Sequence, residues 1–295
     1  MLVIRKRVKD FLLKNSDRSV IRHLRYFLLF IDGLVEIAQA KFVFQLKKDE
    51  VNLCLPQFLG IGAQKSATTW VDKVLRKHPA LCLPERRKEL HFFDNNYWKG
   101  WHWYAWHFRK GKDRIKGEIT PSYSILPEDR LAEIVKSLPS VKLILILRNP
   151  IERAWSMASM DLAKHRFRDV SEVDVSEFMA HFESGESIER GRYSAIIGRW
   201  SAAVGRENLF IGFYDEILES PVCFTERLFE FLGVNPEEMD WSQSDLMRRE
   251  NTTGHVMPNV VKVRLTEIYR NEIIELNHKL ANRFTQQWVR DLQIN

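Results

Sequence analysis

Three short stretches hold residue types that could do chemistry together. The first is Gln64-Lys65-Ser66-Ala67-Thr68-Thr69-Trp70. Lys65 supplies a mobile cation, and Ser66, Thr68 and Thr69 supply hydroxyls that can donate to an anion's oxygens. The second is Lys88-Glu89-Leu90-His91-Phe92-Phe93-Asp94. In an extended segment Glu89 and His91 point the same way, and a carboxylate beside an imidazole can act as a general base with a helper. The third is Arg148-Asn149-Pro150, followed by Arg153 and Ser156. A guanidinium fork suits a phosphate.

The elements around these stretches must hold them in place. Phe58, Leu59 and Ile61, with glycines at 60 and 62, read as a strand running into a tight turn. Val71, Val74 and Leu75 then begin a helical pattern. A turn backed by a helix N-terminus aims several backbone N–H groups at one spot and makes an anion site. It is not a Walker A loop, which wants glycine immediately before its lysine and another further back. Here Gln64 and Leu59 occupy those places. Val141–Leu147 is a continuous apolar run, as in a parallel strand buried on both faces. It ends in Arg148 with no acid to hold Mg²⁺, a second departure from nucleotide triphosphatases.

Helices are expected over 127–138, from Arg192-Tyr193 through Trp200, over 215–232 with Gly233 as C-cap, and over 258–282. Strands are expected at Lys116–Tyr123, with a turn, and at Asn208–Phe213. Residues 97–108 carry four tryptophans, which could stack on sugar rings or build core. Arg248 and Arg249 lie in a polar loop.

With 295 residues, 45% hydrophobic and 28% charged, the chain can bury a sizeable core. A net charge of +6 and a pI near 9.2 favour an anionic partner. Cys54, Cys82 and Cys223 show no metal spacing and read as free thiols. Residues 1–50 form a basic and apolar helical extension, and 51–295 the main domain. Residues 24–38 are interrupted by Asp32, Gly33 and Glu36, too soon to span a bilayer, and no small-residue cleavage site follows. The extension either packs on the domain or lies on an anionic membrane surface. A cytoplasmic placement is expected, with peripheral membrane association as the second reading.

The loop QKSATTW resembles the 5′-phosphosulfate loop of sulfotransferases that use 3′-phosphoadenosine 5′-phosphosulfate (PAPS). LRNPIERAWS, residues 147–156, resembles their 3′-phosphate segment. KELHFF resembles the catalytic segment of the glycan, heparan-sulfate-type enzymes, and Tyr97, Gly100, Trp103 and Tyr104 match a run that follows it there. The resemblance implies a three-layer α/β/α fold with a central parallel sheet and a P-loop-like phosphosulfate-binding turn. It implies that Lys65, Ser66, Ala67, Thr68 and Thr69 hold the 5′ side of PAPS and that Trp70 lies beside the adenine. Arg148 and Ser156 would hold the 3′-phosphate, and the loop with Arg248 and Arg249 would cover the nucleotide. Glu89 would be the base, Lys65 would offset charge on the departing oxygen, and His91 would complete the catalytic group. Lys88, Asp94 and Trp101 would face the acceptor, a carbohydrate or other hydroxyl-bearing molecule. PAP would be the product, with no metal and no nucleic acid involved.

Two positions depart from the pattern. Ala67 stands where glycine is usual, a mild change if its φ is negative and a strained one if it is not. Ile119 follows Glu118 where the glycan enzymes often have lysine, a form like that of many bacterial relatives. From the residues alone, a P-loop nucleotide-dependent kinase and a non-catalytic polyanion-binding protein remain as alternatives.

Overall fold

The run Lys142–Leu147 shows how the fold is built. Every position after Lys142 is buried. Leu143, Leu145 and Leu147 join one apolar cluster, while Ile144 and Ile146 join another. Alternate side chains leave opposite faces of a strand, so both faces need a covering layer of helices.

The computed structural model describes residues 31–38, 40, 54–85, 87–163, 168–239, 241 and 255–292. Its strands are β1 (Phe58–Gly62), β2 (Leu81–Cys82), β3 (Ile115–Ile119), β4 (Lys142–Leu147) and β5 (Leu209–Phe213). They form one five-stranded sheet in the order β2-β3-β1-β4-β5, with every pair parallel. Six helices matter for the site: α1 (Thr68–Leu75), α2 (Glu128–Ser137), α3 (Pro150–Leu162), α4 (Tyr193–Val204), α5 (Pro221–Leu232) and α6 (Asn259–Leu280). The first cluster joins the sheet to α2, α3, α4 and α6, and the second joins it to α1 and α5. This is the expected three-layer arrangement. Gly233 closes α5 at φ 86, and its N–H donates to Phe229 O at 2.9 Å.

The strand order fixes where a ligand can sit. From β1 the chain goes out to the edge strand β2 and back to β3 on one side, then crosses to β4 and β5 on the other. A crevice therefore opens between the C-terminal ends of β1 and β4, the usual ligand position in such sheets. The loop after β1 and Arg148 after β4 both lie there.

Residues 31–38 are helical and pack on the domain. Glu36 accepts from Arg87 Nη2 and from Trp103 Nε1, each at 2.9 Å. The rest of the predicted 1–50 extension, except Ala40, lies outside the described residues, as do Arg248 and Arg249. No helix among the described residues is long and apolar enough to cross a membrane.

Register places Phe58 beside Gly117, and a Cβ on Gly117 would lie 2.3 Å from the Phe58 ring. Only a bare backbone lets that ring fill the space between β1 and β3. Gly117→Ala is expected to cost about 1–3 kcal/mol through forced repacking. A urea melt would show this as a lower midpoint with an unchanged slope.

Candidate active site

The loop after β1 turns sharply. Lys65 and Ala67 both lie in the left-handed region, at φ 68 and φ 60. At Ala67 the strained of the two alternatives therefore applies. The turn into α1 needs a left-handed residue, and alanine tolerates that at a cost of about 1–2 kcal/mol. Left-handed residues in a tight turn bring successive N–H groups to one side, which makes an anion cradle. Ala67 is also the N-cap of α1 and supplies no side-chain acceptor. The first-turn N–H groups are thus left for an external anion. Ser66 is fully buried, and its Oγ has no hydrogen-bond partner. A phosphate oxygen in the cradle would satisfy it, so the residues present fit a nucleotide phosphate.

Arg148 closes the cradle from the end of β4. Its Nη1 donates to Lys65 O at 3.1 Å, its Nη2 lies 3.7 Å from Glu152, and its guanidinium stacks 4.7 Å from the Tyr214 ring. Ser156 sits on α3, 5% exposed. Lys65 Nζ lies 3.3 Å from Met160 Sδ, toward α3. Trp70 is 6% exposed and packs edge-on against Phe224, so most of its ring belongs to the core rather than to an adenine platform.

The second stretch comes to the same place. Lys88 Nζ donates to Thr68 Oγ1 at 3.2 Å and to Glu89 Oε1 at 2.8 Å. Glu89 Oε2 lies 3.3 Å from His91 Nε2, and His91 Nδ1 lies 2.7 Å from Asp94 Oδ2. Ser122 Oγ donates to Asp94 Oδ2 at 2.6 Å. One polar line thus runs from the cradle through Lys88, Glu89, His91 and Asp94 to Ser122. The predicted pairing of Glu89 with His91 holds, but not for the predicted reason. The segment is not extended there: His91 has φ 51 and opens a helical turn over Phe92–Asn96. The turn carries Asp94 back to the imidazole, which a strand could not do.

These contacts set the charges. Burial alone would raise Glu89, but His91 and Lys88 together pull it down to about 2. The hydrogen bond to Asp94, then that to Glu89, lifts His91 to about 10 against the effect of burial. The resting site therefore holds an imidazolium between two carboxylates. It also means that Glu89 is a poor base while both cations bind it.

Glu118 fixes the backbone of this segment. It is fully buried. Tyr104 OH and Tyr123 OH donate to Oε1 at 2.7 and 3.0 Å, while Thr120 Oγ1 and Leu90 N donate to Oε2 at 2.7 and 3.2 Å. Tyr123 OH in turn accepts from Phe92 N at 2.8 Å, and Thr120 Oγ1 accepts from His91 N at 3.4 Å. Burial raises the Glu118 carboxyl, and its four donors oppose that. Sequence reading noted Glu118 but missed this role and missed Ser122. The available signal was a glutamate in a short strand whose neighbours are apolar. Trp101 is half-buried among Phe92, Phe93, Tyr97 and Tyr104, whereas Trp98 is 56% exposed.

A family model described as the sulfotransferase domain matches residues 55–278. The chain belongs to that family. The membrane-associated sulfotransferase kil1 of Dictyostelium discoideum is 40% identical over 108 residues, covering 35% of this chain and 22% of that protein. Human heparan sulfate glucosamine 3-O-sulfotransferase 3A1 is 30% identical over 192 residues, covering 63% of this chain and 46% of that protein. The chain spans less than half the length of the curated relatives it matches. A sulfotransferase crystal structure from Alicyclobacillus acidocaldarius shares the fold, with a TM-score of 0.63 and 23% identity over 79% of this chain and 98% of that one. The sulfotransferase-domain membership and the α/β/α fold read from the motifs are both borne out.

The raised His91 value carries a sign. An imidazolium held above its ordinary 6.5 contributes stability that is full below pH 6.5 and is lost as pH rises through about 10. Histidine NMR of this sulfotransferase domain should show His91 still protonated at pH 8, and Asp94→Asn should move its midpoint down toward 6.5. Neutral His91 at pH 7 in the unmodified chain would overturn the assignment.

Proposed function

We propose that this domain transfers a sulfuryl group from PAPS to a hydroxyl of a carbohydrate acceptor. One observation carries the reading: Lys88 joins the phosphate cradle to the candidate base, through Thr68 on one side and Glu89 on the other. A donor held in the cradle and a hydroxyl at Glu89 would meet across that lysine.

The residues support the following step. The acceptor oxygen attacks sulfur, the bond from sulfur to the 5′-phosphate oxygen breaks, and the hydroxyl proton passes to Glu89. PAP leaves with the electron pair of the broken bond. Lys65 and the loop N–H groups offset charge on its 5′ oxygens. Arg148 and Ser156 hold the 3′-phosphate. Lys88 can turn from Glu89 toward the sulfuryl oxygens, which would relieve the depressed Glu89 and give it the proton affinity a base needs. His91, fixed by Asp94 and Ser122, holds Glu89 in place throughout.

The carbohydrate acceptor is supported by the glucosamine substrate named for the human relative and by the aromatic run beside the site. Ile119, where the glycan enzymes often have lysine, is 1% exposed and packs in the core cluster with Phe58 and Trp70, so it offers no charge to an acceptor.

Two measurements test the reading. In calorimetry, adenosine 3′,5′-bisphosphate should bind much more tightly than 5′-AMP, and Arg148→Ala should abolish the difference. Equal binding of both by the unmodified chain would remove the donor. Glu89→Gln should lower kcat by about 10²–10⁴-fold with bisphosphate affinity little changed, and near-normal turnover would remove Glu89 as the base.

A further inference from the structure

Helix α3 carries a guanidinium that sulfuryl transfer, as described, leaves without a task. Arg153 is 0% exposed. Its Nη2 donates to Ser187 O at 3.0 Å and to Tyr269 OH at 3.1 Å. Its Nε and Nη1 have no partner. Among the described residues no carboxylate pairs with it. Glu152 faces Arg148, Glu186 faces Arg190, Glu189 faces Arg192, and Glu272 accepts from Ser194 N. A guanidinium does not shed its proton in proteins, so this is a buried cation with no counter-ion. Such a group is costly to keep and usually neutralised by a partner.

Its position suggests what the partner is. Arg153 follows Arg148 by five residues and precedes Ser156 by three. Residues three apart on a helix are neighbours, so Arg153 lies beside Ser156, one of the two residues assigned to the 3′-phosphate. Other buried polar atoms without partners gather here: Ser66 Oγ in the cradle, Ser187 Oγ and Tyr193 OH. Tyr193 is fully buried. Burial pushes its hydroxyl up to about 12, against the pull of Arg153, the Arg148 backbone and Ser66. The Tyr193 hydroxyl therefore lies near Arg153, the Arg148 backbone and Ser66 without hydrogen-bond geometry to any of them. A floor of unsatisfied donors under a phosphate site is incomplete until an anion arrives.

We propose that Arg153 is the buried counter-charge of the nucleotide's 3′-phosphate, a positioning residue that acts through its field and through the Tyr193 and Ser66 floor rather than by contact. The inference rests on the donor reading above. A phosphate monoester carries about −1.5 to −2 at neutral pH. At an effective dielectric of about 20, a positive charge buried near such a group is then worth about tenfold or more in affinity.

The experiment compares adenosine 3′,5′-bisphosphate with 5′-AMP by calorimetry on the full chain, unmodified and as Arg153→Met and Arg153→Lys. Arg153→Met should weaken the bisphosphate about tenfold or more and leave 5′-AMP within about threefold. It should melt no lower than the unmodified protein, because it removes an uncompensated charge. Arg153→Lys keeps the charge and should keep most of the preference for the 3′-phosphate. Equal weakening of both nucleotides by Arg153→Met, or no weakening, would show a structural role and overturn the proposal. If Arg153→Met does not fold, Arg153→Lys decides: a lost preference refutes the charge as the cause. Should the unmodified chain itself show no preference, the donor reading fails first and this inference with it.

Discussion

The Glu118 carboxylate holds the segment that carries Glu89 and His91 in place. It sits in the strand beside β1, fully buried, with four donors on its two oxygens. Hydrogen bonds to charged groups contribute about 1.5–3 kcal/mol each, and a buried carboxylate left short of partners is strongly destabilising. The sheet therefore dictates the loop: Leu90 N must meet Glu118, and Glu89 and His91 are carried to either side of it. Thr120 and Tyr123 repeat the arrangement by bonding Glu118 and the 91–92 backbone at once. A segment without regular extended structure is in this way held as firmly as a strand.

The donor side is organised differently. There the backbone does the work, and the side chains are small. Two left-handed residues bend the loop after β1, and α1 presents uncapped N–H groups behind it. Arg148 ties this loop to the next strand through Lys65 O. The two sides meet at Lys88, whose ammonium bonds a cradle threonine and the Glu89 carboxylate. Changes in charge in the cradle are therefore felt at Glu89, a coupling that suits the proposed reaction, in which negative charge moves from one side to the other.

Much of this was legible in the chain. The β1 turn, the apolar β4 run and the arginine at its end placed the crevice at the strand ends, because parallel strands buried on both faces leave a clear pattern. Glu89 and His91 were found as a pair, although the extended geometry that suggested it is absent. Trp70 reads as a ligand contact in the motif, yet the α1 helix turns most of it into the core, because residue 70 falls on the buried face. Ser122 gave no local signal, since a serine after Pro121 is ordinary turn chemistry.

The sequence by itself determined the layers and the strand ends, because these depend on local periodicity. Only the tertiary structure decided that Glu118 is the anchor, that His91 is clamped between two carboxylates, and that Arg153 is buried with no carboxylate partner among the described residues. Each of those depends on groups far apart in the chain, such as Tyr104 with Glu118 and Arg153 with Tyr269. Burial and pairing set the charge of such groups, and neither is a property of the residue's own neighbours in sequence.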